Sequence, residues 1–321
     1  MNAAVHIVIP VHNGLQHTLT TLRALAPLVT APSRILVVDD GSTDGTAEAL
    51  RTEFPDVTVL PGDGNLWWSG GINRGARYAL EHQADYVLFL NNDILLHPEF
   101  IEELLIGAAE HPGALIASKI LFADEPWRVW SLGGKVDFPR GRHYMLACGQ
   151  VDDGRWEEPV EVDWLPGMSV LVPVEVFRRG LWVDENRFPQ YSGDSDFTMR
   201  VRQAGFPLVV WPHSRVYNKV SNSGLDTQLL LGLEPITLRS VRRTLTSIKS
   251  SKAFSTYGRW VVRHAPAWSW PLMLGRFYGF YFLKLIQVKL KLPGLNRLTV
   301  PRRDAREDRR RTLETVAPNR R

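Results

Sequence analysis

The 321-residue sequence predicts an α/β fold: a sheet with helices on both faces, followed by a C-terminal helical extension. Three features predict it. Short apolar runs alternate with helix-period segments through the first 110 residues. Each run is continuously apolar, as strands covered on both faces are. Charge then divides along the chain: residues 236–321 hold 20 Lys or Arg and four acids, against 18 basic and 30 acidic residues before them.

Residues 5–9 form the first predicted strand, stopped by Pro10 and turned at His12-Asn13-Gly14. Residues 15–28 read as a helix, with Leu15, Leu19, Leu22 and Leu25 near one face. Residues 34–38 are a second buried strand ending at Asp39-Asp40-Gly41-Ser42, and residues 43–54 a helix with Ser, Thr and Asp at its start. A third strand spans 57–60, a helix 70–82, a fourth strand 86–90 ending at Asn91-Asn92-Asp93, and a helix 98–110.

Beyond residue 114 the alternation loosens. Residues 127–148, with paired Gly133-Gly134, suggest antiparallel strands or a flap. A strand region covers 162–172, a helix 194–204 and a last strand 208–211. In parallel sheets ligands bind beyond the carboxyl ends of the strands. The clusters His12-Asn13, Asp39-Asp40 and Asn91-Asn92-Asp93 all fall at such ends and should share one crevice.

Composition narrows the class. Apolar residues at 44% and charged residues at 22% are ordinary for a packed soluble protein. A single cysteine, Cys148, excludes a disulfide framework or a multi-cysteine zinc site. No secretory signal is expected at Met1, and the best apolar window, 264–288, is interrupted by Arg276 and Lys284. The basic extension lacks a recognisable nucleic-acid reading module, so anionic lipid is the expected partner rather than nucleic acid. Its 268–291 segment combines aromatics with Arg276, Lys284 and Lys291, as an interfacial helix does. Packing on the body or in a homodimer is the competing reading of that segment. Residues 301–321 read as a disordered basic tail.

The acids suit two tasks. Asp39 and Asp40 can accept hydrogen bonds from a base or ribose, and Asp93 can ligate a hard cation through oxygen. For Asp39 to Thr46, a helix N-cap is the competing explanation; a calcium loop is rejected because Arg51 stands at its closing acidic position. Trp67 and Trp68 can stack on a ligand or anchor the loop.

The runs VHIVIPVHNG, ILVVDDGSTDGT and YVLFLNND, in this order, resemble glycosyltransferase family 2. The 64–75 segment GNLWWSGGINRG resembles the family's donor loop in its rhamnosyltransferase-like branch. WLPGMSVLVPVEVF (164–177) and GLWVDENRFPQYSGDSDFTMRVRQAG (180–205) resemble its acceptor-side strand and the stretch bearing the catalytic base. The match covers roughly 5–220. It implies a GT-A fold over 1–224, with a nucleotide-sugar half (1–113) and an acceptor half (114–224), then a basic helical extension over 225–300.

The resemblance also implies roles. Pro10, His12, Asn13, Asp39, Asp40, Asn65, Trp68, Asn73, Asn92 and Asp93 would contact the nucleotide sugar, with Asp40 or Asp39 taking the base. Trp164, Gly167, Met168 and Trp182 would line the acceptor side. Asp93 would hold Mg²⁺ or Mn²⁺, with Asn91, Asn218 and His213 as candidate further ligands. Asn91 replaces the first acid of the family's Asp-x-Asp motif, and Asn218 stands where a histidine ligand is common. Asp194 would be the general base, with Asp196 as the alternative; Gly193 replaces the first acid of the family's acidic pair.

The implied reaction is inverting transfer of a sugar, rhamnose for this branch, from a dTDP- or UDP-linked donor to a glycan or lipid-linked acceptor. The implied setting is bacterial surface polysaccharide or lipopolysaccharide assembly, in the cytoplasm at the inner face of the membrane. Two rivals stand beside it. A sugar nucleotidyltransferase would want a basic phosphate loop after the first strand, where this chain reads Val11 to Gln16 without cations. An inactive carbohydrate-binding protein would accommodate the Asn91, Gly193 and Asn218 departures.

Overall fold

A computed structural model describes residues 3–220 and 224–292. Strands β1 (Val5–Val11), β2 (Arg34–Asp39), β3 (Thr58–Pro61) and β4 (Tyr86–Leu90) alternate with α1 (Leu15–Leu25), α2 (Thr46–Glu53) and α3 (Trp67–Glu81). They pair in parallel in the order β4-β1-β2-β3. The continuous apolar runs have the expected cause, since each strand presents side chains to both faces. Val8, Leu36, Val38, Val87 and Phe89 pack in one core layer; Ile7, Ile9, Val37, Leu88 and Leu90 pack in the other.

β5 (Ile94–Leu96) and α4 (Phe100–Glu110) lead into β6 (Leu115–Phe122), which sequence periodicity does not pick out. Lys119 interrupts its apolar run, yet this lysine is fully buried, bonded to Asp152, Glu157 and the Trp156 carbonyl. β7 (Val129–Ser131) borders β6, while β8 (Gly134–Asp137) and β9 (Arg142–Met145) form a separate antiparallel hairpin, the flap expected near 127–148. β10 (Val160–Glu161), β11 (Ser169–Pro173), α5 (Val174–Arg178), α6 (Gly193–Gln203) and β12 (Leu208–Asn218) complete the body.

β11 runs antiparallel between β4 and β6, so the sheet is mixed, in the order β10-β12-β6-β11-β4-β1-β2-β3. β12 is far longer than the 208–211 run predicted, because a bulge between Trp211 and Arg215 absorbs Pro212 and pairing with β6 resumes beyond it.

The chain after β12 is helical but broken into short pieces: α7 (Leu225–Leu230), α8 (Leu238–Thr246), a π-turn at Phe254–Gly258 and α9 (Arg259–His264), then the long α10 (Trp270–Leu290). Trp164, Phe188 and Met199 of the body share a core with Tyr257, Trp260, Val261 and Met273 of this extension. The extension is therefore packed on the body. α10 buries Met273, Tyr281 and Leu285, and it exposes Leu272, Phe280, Leu283, Ile286 and Leu290 on its other side. Among the described residues no helix is long and apolar enough to cross a membrane. The 301–321 tail lies outside the described residues.

Candidate active site

β1 pairs in parallel with both β2 and β4, so the polar loops that follow these three strands emerge at one edge of the sheet. There the Asp40 N–H donates to the Val11 carbonyl at 2.8 Å and the His12 ring bonds the Asp40 carbonyl at 2.7 Å. Asn13, at φ 51°, accepts from the Thr43 N–H at 2.8 Å, so the first two strand-end loops are laced together. Pro10 abuts α3: a β-carbon at Gly71 would stand 2.9 Å from it.

Asp39 and Asp40 are both buried, and their carboxylates do different work. Asp40 accepts from the Gly64 and Trp67 N–H groups, each at 2.8 Å, and so holds the whole 64–67 loop. Asp39 accepts from the Ser42 N–H through Oδ1 alone, at 3.0 Å, which leaves Oδ2 for a ligand. Asn65 is exposed at the tip of this loop.

Two predicted donor contacts point elsewhere. Asn73 is buried, with both amide protons donated to Val183 and Glu185 and its oxygen accepting from the Val183 N–H, so it clamps the segment leading to α6. Asn92 donates to Thr18 of α1 at 2.9 Å, which commits its amide nitrogen to that helix.

Trp68 joins the donor and acceptor halves. Its Nε1 donates to the Asn91 amide oxygen at 3.1 Å, and its ring lies directly over Gly167, where any β-carbon would overlap it. The same β-carbon would come 3.0 Å from Asp194 Cβ. Asp194 opens α6 after Ser192, whose φ of 63° aims the first turn inward. Its carboxylate accepts from the Gly167 N–H at 2.9 Å and the Ser195 N–H at 2.8 Å. Burial nonetheless raises its carboxyl above the ordinary carboxylate range, outweighing those donors. Met168 is half-buried beside Gly167 against the core.

Tyr191, half-buried, precedes α6. Burial, and then the charge of Asp226, raise its phenol, with Asp93 and Asp194 both adding to the shift. Sequence reading passes over Tyr191; its place three residues ahead of Asp194 is the only signal it leaves. Gly193 also receives a reason. A side chain there would overlap Ser69 Oγ and meet the Phe188 carbonyl at 2.9 Å, so an acid at 193 has no room.

Asp196, the alternative base, is committed to partners of its own. It is fully buried and bonded to Arg200 at 2.9 Å, Arg263 at 3.0 Å and His264 at 2.9 Å. Burial acts to raise its carboxyl, but the His264 hydrogen bond and the Arg200 and Arg263 charges bring it below the usual range. It fastens the extension to α6.

Two predicted acceptor residues are likewise structural. Trp164 is buried beneath the β8–β9 hairpin, its ring centroid 4.8 Å from that of His143. Trp182 packs on Phe177 at 5.2 Å with the Arg77 guanidinium 5.2 Å from its ring.

For a cation, Asp93 immediately precedes Ile94, which pairs with Asn218 across β5 and β12. Asn218 is buried and its amide nitrogen has no hydrogen-bond partner. His213 does not join them. It sits five residues back in the β12 bulge, 3.8 Å from Glu157 and partly exposed, too far along the strand to reach Asp93. Among the described residues no group of three or more His, Cys, Asp or Glu could hold a metal. Asp93, Asn91 and Asn218 carry oxygen atoms of the hard kind that suit Mg²⁺ or Mn²⁺.

Residues 6–155 match the Glycosyl transferase family 2 model. The chain is 28% identical over 225 residues to N-acetylglucosaminyl-diphospho-decaprenol L-rhamnosyltransferase of Mycobacterium tuberculosis, covering 64% of this chain and 73% of that enzyme. In structure it resembles the mannosyltransferase PcManGT of Pyrobaculum calidifontis, solved with GDP-Man and Mn²⁺, at a TM-score of 0.51 and 14% identity, covering 91% and 87% of the two chains. It also resembles S. aureus TarS, at a TM-score of 0.50 and 14% identity over 89% and 80%. GalNAc-T7, solved with UDP, GalNAc and Mn²⁺, aligns at 0.53 and 14% identity; 67% of this chain matches 43% of that one. These similarities establish the GT-A fold.

Proposed function

We propose that the chain is a family 2 glycosyltransferase related to rhamnosyltransferases and that it inverts the donor's anomeric carbon in a single displacement. The donor is a nucleotide diphosphate sugar, with dTDP- or UDP-rhamnose as the specific choice, and the acceptor is a lipid-linked glycan. One observation carries this reading: Trp68 donates to Asn91, two residues before Asp93, and its ring lies on Gly167, whose N–H donates to Asp194, so a single side chain links the donor-side and acceptor-side acids.

Asp39 Oδ2 takes a hydrogen bond from the base, while Asp40 keeps the 64–67 loop closed over the nucleotide. Trp68, fixed by Asn91 and Gly167, presents its ring to the sugar. Asp93, with Asn91 and Asn218 as further oxygen donors, would hold a divalent cation, which would supply neutralisation of charge on the departing diphosphate.

Asp194 accepts a hydrogen bond from the acceptor hydroxyl. As the acceptor oxygen forms its bond to the anomeric carbon, the hydroxyl proton passes to the carboxylate and the donor's carbon–oxygen bond pair leaves with the nucleotide diphosphate. The Gly167 and Ser195 N–H groups keep the carboxylate pointing at the acceptor, and burial makes it a stronger base than an exposed aspartate.

The test is diphosphate release from a panel of nucleotide sugars with Mg²⁺ or Mn²⁺, with and without a polyprenyl diphosphate-linked acceptor sugar. Acceptor-dependent release from a deoxysugar donor is expected. Release equal in wild type and Asp194→Asn would overturn the base assignment, and none from any donor would favour an inactive binding protein.

A further inference from the structure

Apart from the catalytic crevice, the extension encloses a groove of about 880 Å³ between the β8–β9 hairpin, the π-turn and the exposed side of α10. Its walls are apolar and aromatic, with Tyr257, Phe277, Phe280 and Leu283 prominent. Gly275 and Gly279 form a notch on α10, since a β-carbon at either meets open space.

Two lysines stand in this apolar groove. Lys252 Nζ lies 4.4 Å from the Phe277 ring centroid and Lys284 Nζ 4.9 Å from that of Phe280. Neither forms an ion pair with a carboxylate among the described residues. The other groups facing them are Arg142 and Arg276, His143, Asp226 behind Lys252 and the Cys148 thiol near Lys284. Burial lowers both ammonium groups, and Lys252 lowers Lys284 further. Like charges gathered in apolar surroundings repel one another and lose hydration, and an arriving anion relieves both costs.

The groove is joined to the catalytic crevice by one short segment. Lys249 Nζ lies 5.6 Å from the Trp67 ring of the donor loop, and Ser250 and Ser251, the residues between Lys249 and Lys252, both bond Asp226. Three peptide steps, at most about 11 Å, separate Lys249 from Lys252.

We infer that this groove binds the lipid end of the acceptor: a long apolar chain along Phe277, Phe280, Leu283 and the glycine notch, with its phosphate between Lys252 and Lys284. An apolar trough with two unpaired cations is complementary to a lipid phosphate and to neither half of one alone. The inference rests on the glycosyltransferase reading only in calling the ligand an acceptor. Leu272, Ile286 and Leu290, exposed on the same side of α10, would rest on the bilayer from which that lipid is drawn.

The test uses the full chain floated with phosphatidylcholine vesicles carrying a polyprenyl monophosphate, or phosphatidylglycerol at matched charge. Three proteins are compared: wild type, the Lys252→Met/Lys284→Met double variant, and Gly279→Leu. Wild type should bind the polyprenyl phosphate vesicles at least tenfold more tightly, and excess inorganic phosphate should not displace it. Both variants should lose that preference. Gly279→Leu is the decisive one, because it fills the notch while adding apolar surface, so non-specific adhesion would be undiminished. Equal binding to both vesicles, wild-type preference in both variants, or displacement by inorganic phosphate overturns the inference. So does a dimer that Gly279→Leu abolishes, which would make the groove a contact between copies. Donor hydrolysis measured on the same proteins separates the two readings, since a catalytically silent wild type would leave the vesicle result to stand or fall by itself.

Discussion

At the scale of single residues, two aspartates two positions apart on α6 have opposite fates because their surroundings differ. Asp194 has only backbone donors against its desolvation, so its carboxyl is raised; Asp196 has the His264 hydrogen bond and the Arg200 and Arg263 charges, so its carboxyl is lowered. Asp194→Asn should reduce transfer by about 10²–10⁴-fold, read as kcat with saturating donor and acceptor. Wild-type activity should fall on the acid side at a pH above the ordinary aspartate range of about 4, since the base must be ionised. Ionised Asp194 is less stable folded than unfolded, so relative to Asp194→Asn the wild type should gain stability as pH drops through its raised pKa. Asp196→Ala should behave otherwise. Leaving Arg263 and His264 without their buried partner should cost about 3–5 kcal/mol at neutral pH, seen in denaturant unfolding. That deficit should shrink as pH falls through the lowered Asp196 pKa, where wild type loses the same interaction.

Secondary elements meet at positions where only glycine fits. α3 lies so close to β1 that a β-carbon at Gly75 would overlap the Val8 side chain. Gly75→Ala should therefore destabilise the protein by about 1–3 kcal/mol, measured by thermal melting, although alanine favours helix. The parallel strands and their helices were legible because buried strands need unbroken apolar runs and helices need a 3.6-residue period. β6 was not legible, since Lys119 reads as a surface residue until Asp152 and Glu157, more than thirty positions away, arrive to pair with it. β12 was foreshortened for a similar reason: Pro212 reads as a strand end, and only pairing with β6 beyond the bulge carries the strand on to Asn218.

Across the whole molecule, the extension and the catalytic body share one core through Trp164, Phe188, Trp260 and Met273. Truncation after residue 224 should therefore expose Trp164 and Phe188 and strip Asp196 of Arg263 and His264. The expected outcome is an aggregating or 8-anilinonaphthalene-sulfonate-binding fragment, whereas the full chain melts in one transition. A fragment that is monomeric and as stable as the full chain would show the body to be independent. The division of charge acquires a place as well: the acidic body carries the crevice, and the basic extension turns an apolar, cation-bearing side outward.

By itself the sequence determined the alternating architecture, the three polar clusters at strand ends and the family motifs, because these depend on spacing along a few consecutive residues. It left open which member of each polar pair faces the crevice. Asp39 or Asp40, Asp194 or Asp196, Asn218 or His213, and the several tryptophans are equivalent as letters. Only the tertiary structure separated them, because the direction of a side chain and the donors around it come from residues far off in the chain. Gly64 and Trp67 claim Asp40, Arg263 and His264 claim Asp196, and Val183 claims Asn73. The partners that decide these fates lie far apart in the chain and meet only once it has folded.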